Sequence, residues 1–163
     1  MVSDAQSTPT VTLRPMTAAE YGVWIEETTV LYAEERATAT GMPRDVSLEK
    51  ARAQIATLLP AGQTTSGMYL FVIVDDADAD VGILWLGPHP DRPDTLYVWD
   101  VSIHERFRQR GFGRAAMLAA EDVARDAGVV AIGLNVFGPN TAARRLYDSL
   151  GYDVTSQQML KKL

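Results

Sequence analysis

The sequence predicts an α/β fold, and three observations carry that prediction. The runs "MYLFVIV", "VGILWLG", "TLYVWDVSI" and "VVAIGLNVF" are short, apolar and rich in β-branched and aromatic residues, the composition of strands. Segments on either side of them keep apolar residues at helical spacing. Between the last two runs lies "RFRQRGFGRA" (106–115), a glycine bend crowded with arginines that leads into an alanine-rich helical run, in a chain of net charge −6.

Taken in order, residues 1–10 form a polar tail, and residues 11–163 are expected to make one domain. "VTLRP" is a short strand stopped by Pro15. Thr17 and Glu20 have the spacing of a capping box, and Tyr21, Trp24, Ile25, Thr28 and Tyr32 follow on one helical face. A second helix is expected after Ser47, ending before Pro60, with "GQTTSG" as a loop. "MYLFVIV" and "VGILWLG" pair across the polar turn "DDADAD", and "GPHPDRPD", with three prolines, leads to "TLYVWDVSI". Ala116, Met117, Ala120, Val123, Ala124 and Ala127 mark a helix that Gly128 ends. "VVAIGLNVF" is the next strand, "TAARRLYDSL" a helix closed by Gly151, and "YDVTSQQML" a last strand.

At 163 residues and 47% hydrophobic content, the chain suits one domain that buries about 68–70% of its unfolded surface. It has no cysteine, so disulfides and thiolate metal sites are absent. The polar N-terminus does not read as a signal peptide, and no run approaches the roughly 18 apolar residues of a membrane span. The expectation is a cytoplasmic protein with no membrane partner. The acidic balance argues against nucleic acid, which needs a broad basic face, and is compatible with a cationic partner. His89 and His104 have no partners at metal-ligand spacing, so no metal is expected.

A strand that feeds a helix through glycines exposes unpaired backbone N–H groups at the helix's positive end, where phosphate oxygens can accept them. Gly111 and Gly113 permit close backbone approach, and Arg108, Arg110 and Arg114 can add charge-assisted contacts. A dinucleotide fingerprint would also fit Gly111, Gly113 and Ala116, but the next strand ends in "LNVFG" without the acid that holds a ribose. A triphosphate loop would need Gly-Lys-Ser/Thr, and Gly113 is followed by Arg114. An ordinary glycine turn with solvated arginines is the structural alternative.

The bend has company. "RQRGFG" matches the Arg/Gln-x-x-Gly-x-Gly/Ala loop of the GNAT superfamily of N-acetyltransferases, and "VSIHERFRQRGFGRAAM" resembles its whole strand-loop-helix segment. Downstream, "NVFGPNTAARRLYDSLGY" resembles the family's second signature, an Asn, an Ala pair, Leu-Tyr and a closing Leu-Gly-Tyr. The resemblance is densest over residues 96–152. It implies a mixed, mostly antiparallel sheet flanked by helices, with a splayed parallel strand pair forming a cleft for acetyl-coenzyme A.

By this resemblance, the backbone of Val101, Ser102 and Ile103 would pair with the pantetheine arm. Backbone N–H groups of Arg108, Gln109, Arg110, Gly111, Phe112, Gly113 and Arg114 would hold the pyrophosphate. Asn140 matches an Asn that contacts the cofactor, a role compatible with capping the helix it precedes. Tyr147 matches the tyrosine proposed to protonate the departing thiolate; its alternative is packing beside Leu146. Asp100 is the candidate base, because a charge inside "YVWDVSI" would be costly to bury without a reason; a structural pair with an arginine is the other reading. Asn135 could orient a water. Glu26, Glu27, Glu34 and Glu35 could attract a cation or simply form a solvated face, and Trp85 and Trp99 read as core or pocket-wall aromatics. The implied activity is acetyl transfer from acetyl-coenzyme A to a primary amine of a small molecule, peptide or protein, with no acyl-enzyme. The alternative is a non-catalytic coenzyme-A-binding regulatory module. A homodimer is a further expectation of the resemblance.

Overall fold

The computed structural model describes residues 8–161. Of the expected tail, residues 1–7 lie outside the described residues, and 8–10 have no regular structure. The elements run β1 (Val11–Pro15), α1 (Ala18–Thr40), α2 (Arg44–Leu58), β2 (Tyr69–Asp75), β3 (Asp80–Pro88), β4 (Thr95–Ile103), α3 (Phe112–Asp126), β5 (Ala131–Leu134) and α4 (Thr141–Ser149). One five-stranded sheet has the order β1-β2-β3-β4-β5, antiparallel except for the parallel pair β4 and β5. The expected mixed α/β architecture is therefore present. Among the described residues no helix is long and apolar enough to cross a membrane.

The start of α1 is fixed by side chains close in sequence. The Glu20 backbone N–H donates to Thr17 Oγ1 (3.3 Å), the Thr17 N–H donates to Glu20 Oε2 (2.7 Å), and both Arg14 Nη atoms reach the same carboxylate at 3.0 and 2.7 Å. The Arg14 guanidinium, helped by the Thr17 N–H, holds the Glu20 carboxyl down at about 2. Gly41, in the left-handed region at φ 71°, ends the helix.

The start of α2 differs from the expectation. It begins at Arg44, directly after Pro43, and Ser47 lies inside it. Proline's fixed φ prepares a helix start without a side-chain cap. The Ser47 hydroxyl, fully buried, instead donates to the Ala33 carbonyl of α1 at 2.8 Å and ties the two helices together.

Strand alternation divides the core between the two faces of the sheet. Under α3, Ile73, Leu84 and Leu86 pack on Ala116, Met117 and Ala120. Under α1 and α2, Leu70, Val72, Val74 and Trp85 pack with Met16, Trp24 and Leu59.

The last two expected strands are corrected. β5 covers only Ala131–Leu134 of "VVAIGLNVF", because past Leu134 it has no neighbour to bond. "YDVTSQQML" forms no strand. Its last backbone bond among the described residues is from the Tyr152 N–H to the Tyr147 carbonyl (3.0 Å), and none joins the rest of it to a strand.

Candidate active site

The site starts from the way β4 and β5 part. They pair from Thr95 with Ala131 to Val98 with Leu134, and then separate. Opposite, β4 carries a bulge: Trp85 pairs with Asp100 and Leu86 with Val98, so Trp99 is the extra residue. Bulges bend a strand and re-aim its side chains. From Trp99 to Ile103, β4 therefore has a strand neighbour only on the β3 side.

The ladder shows which backbone groups face the opening. The His104 N–H donates to the Val81 carbonyl at 2.9 Å, and antiparallel residues alternate between bonded and non-bonded pairs. Ser102 then bonds toward β3, while the backbones of Val101 and Ile103 point into the cleft. Arg108 Nε takes up the Ile103 carbonyl at 3.0 Å, leaving the Val101 carbonyl and the Ile103 N–H open, while the Val101 N–H lies near the Asp100 carboxyl and works to lower its pKa.

The glycine bend closes this end of the cleft. Gln109 and Gly111 both have positive φ, 59° and 86°. Gly111 caps α3 with no side-chain acceptor, and the first bond of the helix runs from the Ala115 N–H to the Gly111 carbonyl (3.0 Å). Among the described residues, no backbone carbonyl accepts from the N–H groups of Gln109 to Arg114. They form a row of free donors at the positive end of a 15-residue helix.

Both glycines are needed for shape as well. A Cβ on Gly111 would fall 2.8 Å from Pro9 Cδ, and one on Gly113 would fall 3.3 Å from Leu146 Cδ2 of α4. Phe112 is buried and stacks edge-on against Phe107, so only its backbone is offered outward. The arginines divide their tasks: Arg108 staples the bend to β4, Arg114 donates to Ser149 Oγ at 2.6 Å, and the Arg110 guanidinium lies 5.9 Å from the Phe107 ring centre.

Beside the parted strands lies a cavity of about 400 Å³, walled by α1, α2, β4, the end of β5 and α4. Asp100 and Tyr147 both line it, joined by Tyr32, Glu35, Trp99 and Asn135. No Lys, Arg or His lines it. Burial pushes the Asp100 carboxyl up to about 6; a Trp24 indole N–H nearby, short of a closed hydrogen bond, partly opposes this, and the Glu35 charge adds to it. Burial, and then the Asp100 charge, also raise the Tyr147 phenol above its ordinary value. The two residues the sequence singled out for chemistry thus share one cavity, and the Asp100 charge acts on the Tyr147 phenol.

Asn140 lines the cavity too, and its Oδ1 accepts from the Ala143 N–H at 3.1 Å as the cap of α4, which leaves its amide NH₂ uncommitted by that bond. Of the four glutamates on α1, only Glu35 lines the cavity; Glu26, Glu27 and Glu34 are exposed elsewhere. His89, Tyr97, Trp99, Trp85 and Trp24 form a continuous aromatic run, with successive ring centres 5.1, 4.9, 5.6 and 5.5 Å apart. Sequence reasoning missed Tyr97 as a wall residue. Its signal was the two-residue spacing to Trp99, which places both on the face that carries Trp85.

A mixed sheet that opens at its parallel pair, with a bare-backbone bend at one end of the opening, defines the structural class. The chain belongs to the acetyltransferase (GNAT) family, whose description matches residues 29–152. It is 33% identical over 156 residues to the uncharacterized N-acetyltransferase YycN of Bacillus subtilis, covering 94% of this chain and 99% of that one. YdgE, another uncharacterized N-acetyltransferase of the same organism, is 28% identical over 93% of this chain and 98% of its own length. The crystal structure of Bacillus subtilis YycN superposes with a TM-score of 0.86 over 94% of this chain and 99% of that chain, at 30% identity. The protein is accordingly an acyltransferase of the GNAT family, a family that uses acetyl-coenzyme A.

Proposed function

We propose that this enzyme transfers an acetyl group from acetyl-coenzyme A directly to a cationic amine, with Asp100 as proton acceptor and Tyr147 as donor to the leaving thiolate. The observation that carries the proposal is that both residues line one cavity, where the Asp100 charge adds to burial in raising the Tyr147 phenol. The open Val101 carbonyl and Ile103 N–H would take the pantetheine amides in place of a missing strand. The free N–H row of Gln109 to Arg114 would take the pyrophosphate, and the Asn140 amide would add a contact.

An alkylammonium with a pKa near 10.4 is under about 0.1% free amine at pH 7, so attack needs a proton acceptor. A carboxyl raised to about 6 is a stronger acceptor than an ordinary aspartate and still ionised at neutrality. Asp100 first takes one proton from the ammonium, the freed amine nitrogen bonds to the thioester carbonyl carbon, the C–S bond breaks as the sulfur takes the Tyr147 proton, and the second nitrogen proton passes to solvent as the amide forms. Solvent then resets both groups. Because the Asp100 charge is part of what holds the Tyr147 phenol up, protonating Asp100 makes Tyr147 a better acid as the thiolate departs. With no cysteine in the chain, transfer without a thiol acyl-enzyme follows naturally. Asp100 and Glu35, unopposed by any basic lining residue, favour a positively charged acceptor.

The test is a pair of pH profiles with cofactor affinity measured alongside. Asp100→Asn is expected to lower turnover about 10²–10⁴-fold near neutrality and to recover partly at high pH, where free amine accumulates unaided. Tyr147→Phe is expected to lose activity across the neutral range with little recovery, since extra free amine does nothing for the leaving group. A loss under about threefold in either variant, or equal recovery in both, overturns that residue's assigned role.

A further inference from the structure

Among the described residues, the indole N–H groups of Trp24 and Trp99 are buried without a hydrogen-bond partner, and a buried donor left unpaired is costly enough to need a reason. Trp99 Nε1 lies against β3, where a Cβ on Gly87 would fall 3.0 Å from it. Trp24 is placed differently. It is 7% exposed and belongs to the stripe of α1 that faces the site, since Thr28, Leu31, Tyr32 and Glu35 follow it at helical spacing and all line the cavity. Its ring meets Trp85 edge-on, with centres 5.5 Å apart, and Trp85 is the cross-strand partner of Asp100, so the Trp85 and Asp100 side chains stand on the same face of the sheet. The Trp24 N–H is thereby brought beside the Asp100 carboxyl, short of a closed hydrogen bond, as the side-chain donor that acts on it.

We propose that Trp24 is a positioning residue: its indole N–H closes onto the Asp100 carboxylate when that group is ionised and holds it aimed into the cavity. The inference rests on the proposed role of Asp100 as proton acceptor. An indole N–H can donate but not accept, so it bonds the carboxylate strongly and the neutral acid weakly. The titratable groups that share the cavity with Asp100 are Tyr32 and Glu35 from α1, Tyr97 from β4 and Tyr147 from α4, with none from α2, β3 or β5, and none of them is a cation that could hold the carboxylate instead. The other donor beside it, the Val101 N–H, is fixed by β4. Trp24 is held just as firmly, between the rings of Tyr21 and Trp85 at 5.8 and 5.5 Å. Uptake of the ammonium proton loosens the indole bond. Loss of that proton to solvent re-forms it and returns the carboxylate to its starting direction.

The bond can be read without turnover. The chain has three tryptophans, hence three indole signals in a proton–nitrogen NMR spectrum. The Trp24 indole proton is expected to move downfield as pH rises, with a midpoint at about 6, and to lose that movement in Asp100→Asn, where position 100 no longer ionises. The Trp85 signal, whose N–H donates to Met68 Sδ at 3.4 Å, should not follow it. Trp24→Phe keeps a ring in place and removes the donor. Losing a bond to the charged form raises a carboxyl's pKa, so the acid limb of kcat/KM should move up by about one pH unit, a loss of about fivefold at pH 6 that shrinks toward pH 8. The same substitution should cost nothing further in Asp100→Asn. A Trp24 signal that does not titrate, one that titrates unchanged in Asp100→Asn, or a Trp24→Phe loss equal at every pH overturns the proposal. Full turnover in Asp100→Asn is a separate failure, of the acceptor role beneath it, and the indole titration tells the two apart.

Discussion

Under α3 the sheet is covered by alanines and one methionine, packed so closely that Ala116, Met117 and Ala120 have no exposure at all. Under α1 and α2 it is covered by indoles, and two of their N–H groups, those of Trp24 and Trp99, are buried without a hydrogen-bond partner. Small residues let α3 lie flat on the strands, and its first turn then points free N–H groups at the mouth of the cleft. Bulky aromatics hold α1 and α2 off the sheet and leave room for a cavity. One face is a closely packed mount for backbone donors, and the other, in the proposed mechanism, forms the wall of the acceptor cavity.

If that contrast is right, damage to the two faces should read out differently. The largest effect expected is on the α3 face: Met117→Ala removes a fully buried side chain from close packing and should cost about 2–5 kcal/mol. Urea unfolding would measure it. The KM for the acceptor should stay unchanged in the folded enzyme, and a selective rise in that KM would break the division between the faces.

On the other face, a single residue should trade stability against chemistry. The folded-state pKa of Asp100 is raised from 3.8 to about 6, so the native state binds this proton more tightly than the unfolded chain does. The stability it contributes is present when the carboxyl is protonated and is lost as pH rises from about 4 through about 6. At pH 7 the ionised group opposes folding by up to about 3 kcal/mol, at 1.36 kcal/mol per pH unit. Asp100→Asn should therefore raise Tm at pH 7 by several degrees, gain nothing near pH 4, and lose activity. Destabilisation at neutral pH would mean that Asp100 is paired in the fold rather than held for reaction.

The sequence announced the α3 side more fully than the α1 side, for a physical reason. The bend, the start of α3, the capping box at Thr17 and the Asn140 cap depend on residues close in the chain, so their spacing exposes them. The cavity depends on meetings between distant elements: Tyr32 and Glu35 from α1, Trp99 from a bulge, Tyr147 from α4. Glu35 could not be told from Glu34 by composition, because helix phase against the sheet decides which one faces inward. The bulge at Trp99 carries no Gly or other local mark. "YDVTSQQML" has the composition of a strand, but pairing needs a neighbour that sequence periodicity cannot supply. Ser47 has the composition of a cap, yet its hydroxyl found a partner on another helix.

Ser47 also gives the smallest and most discriminating of these effects. Its buried hydroxyl donates to the Ala33 carbonyl, and that carbonyl, inside a helix, keeps an i+4 backbone donor of its own when the hydroxyl is removed. Ser47→Ala should thus fall at the low end of the range for breaking a buried hydrogen bond, about 1 kcal/mol, or roughly 2–4 °C in Tm. Global stability is not the informative readout. The bond joins α2 to α1 at Ala33, between Tyr32 and Glu35, so loosening it lets the proposed acceptor wall shift while the bend and α3 stay mounted on the sheet. Ser47→Ala should raise the KM for the acceptor several-fold and leave that for acetyl-coenzyme A unchanged. Equal changes in both would show that the two faces move as one body, and that the alanine-covered mount is no more rigid than the aromatic wall.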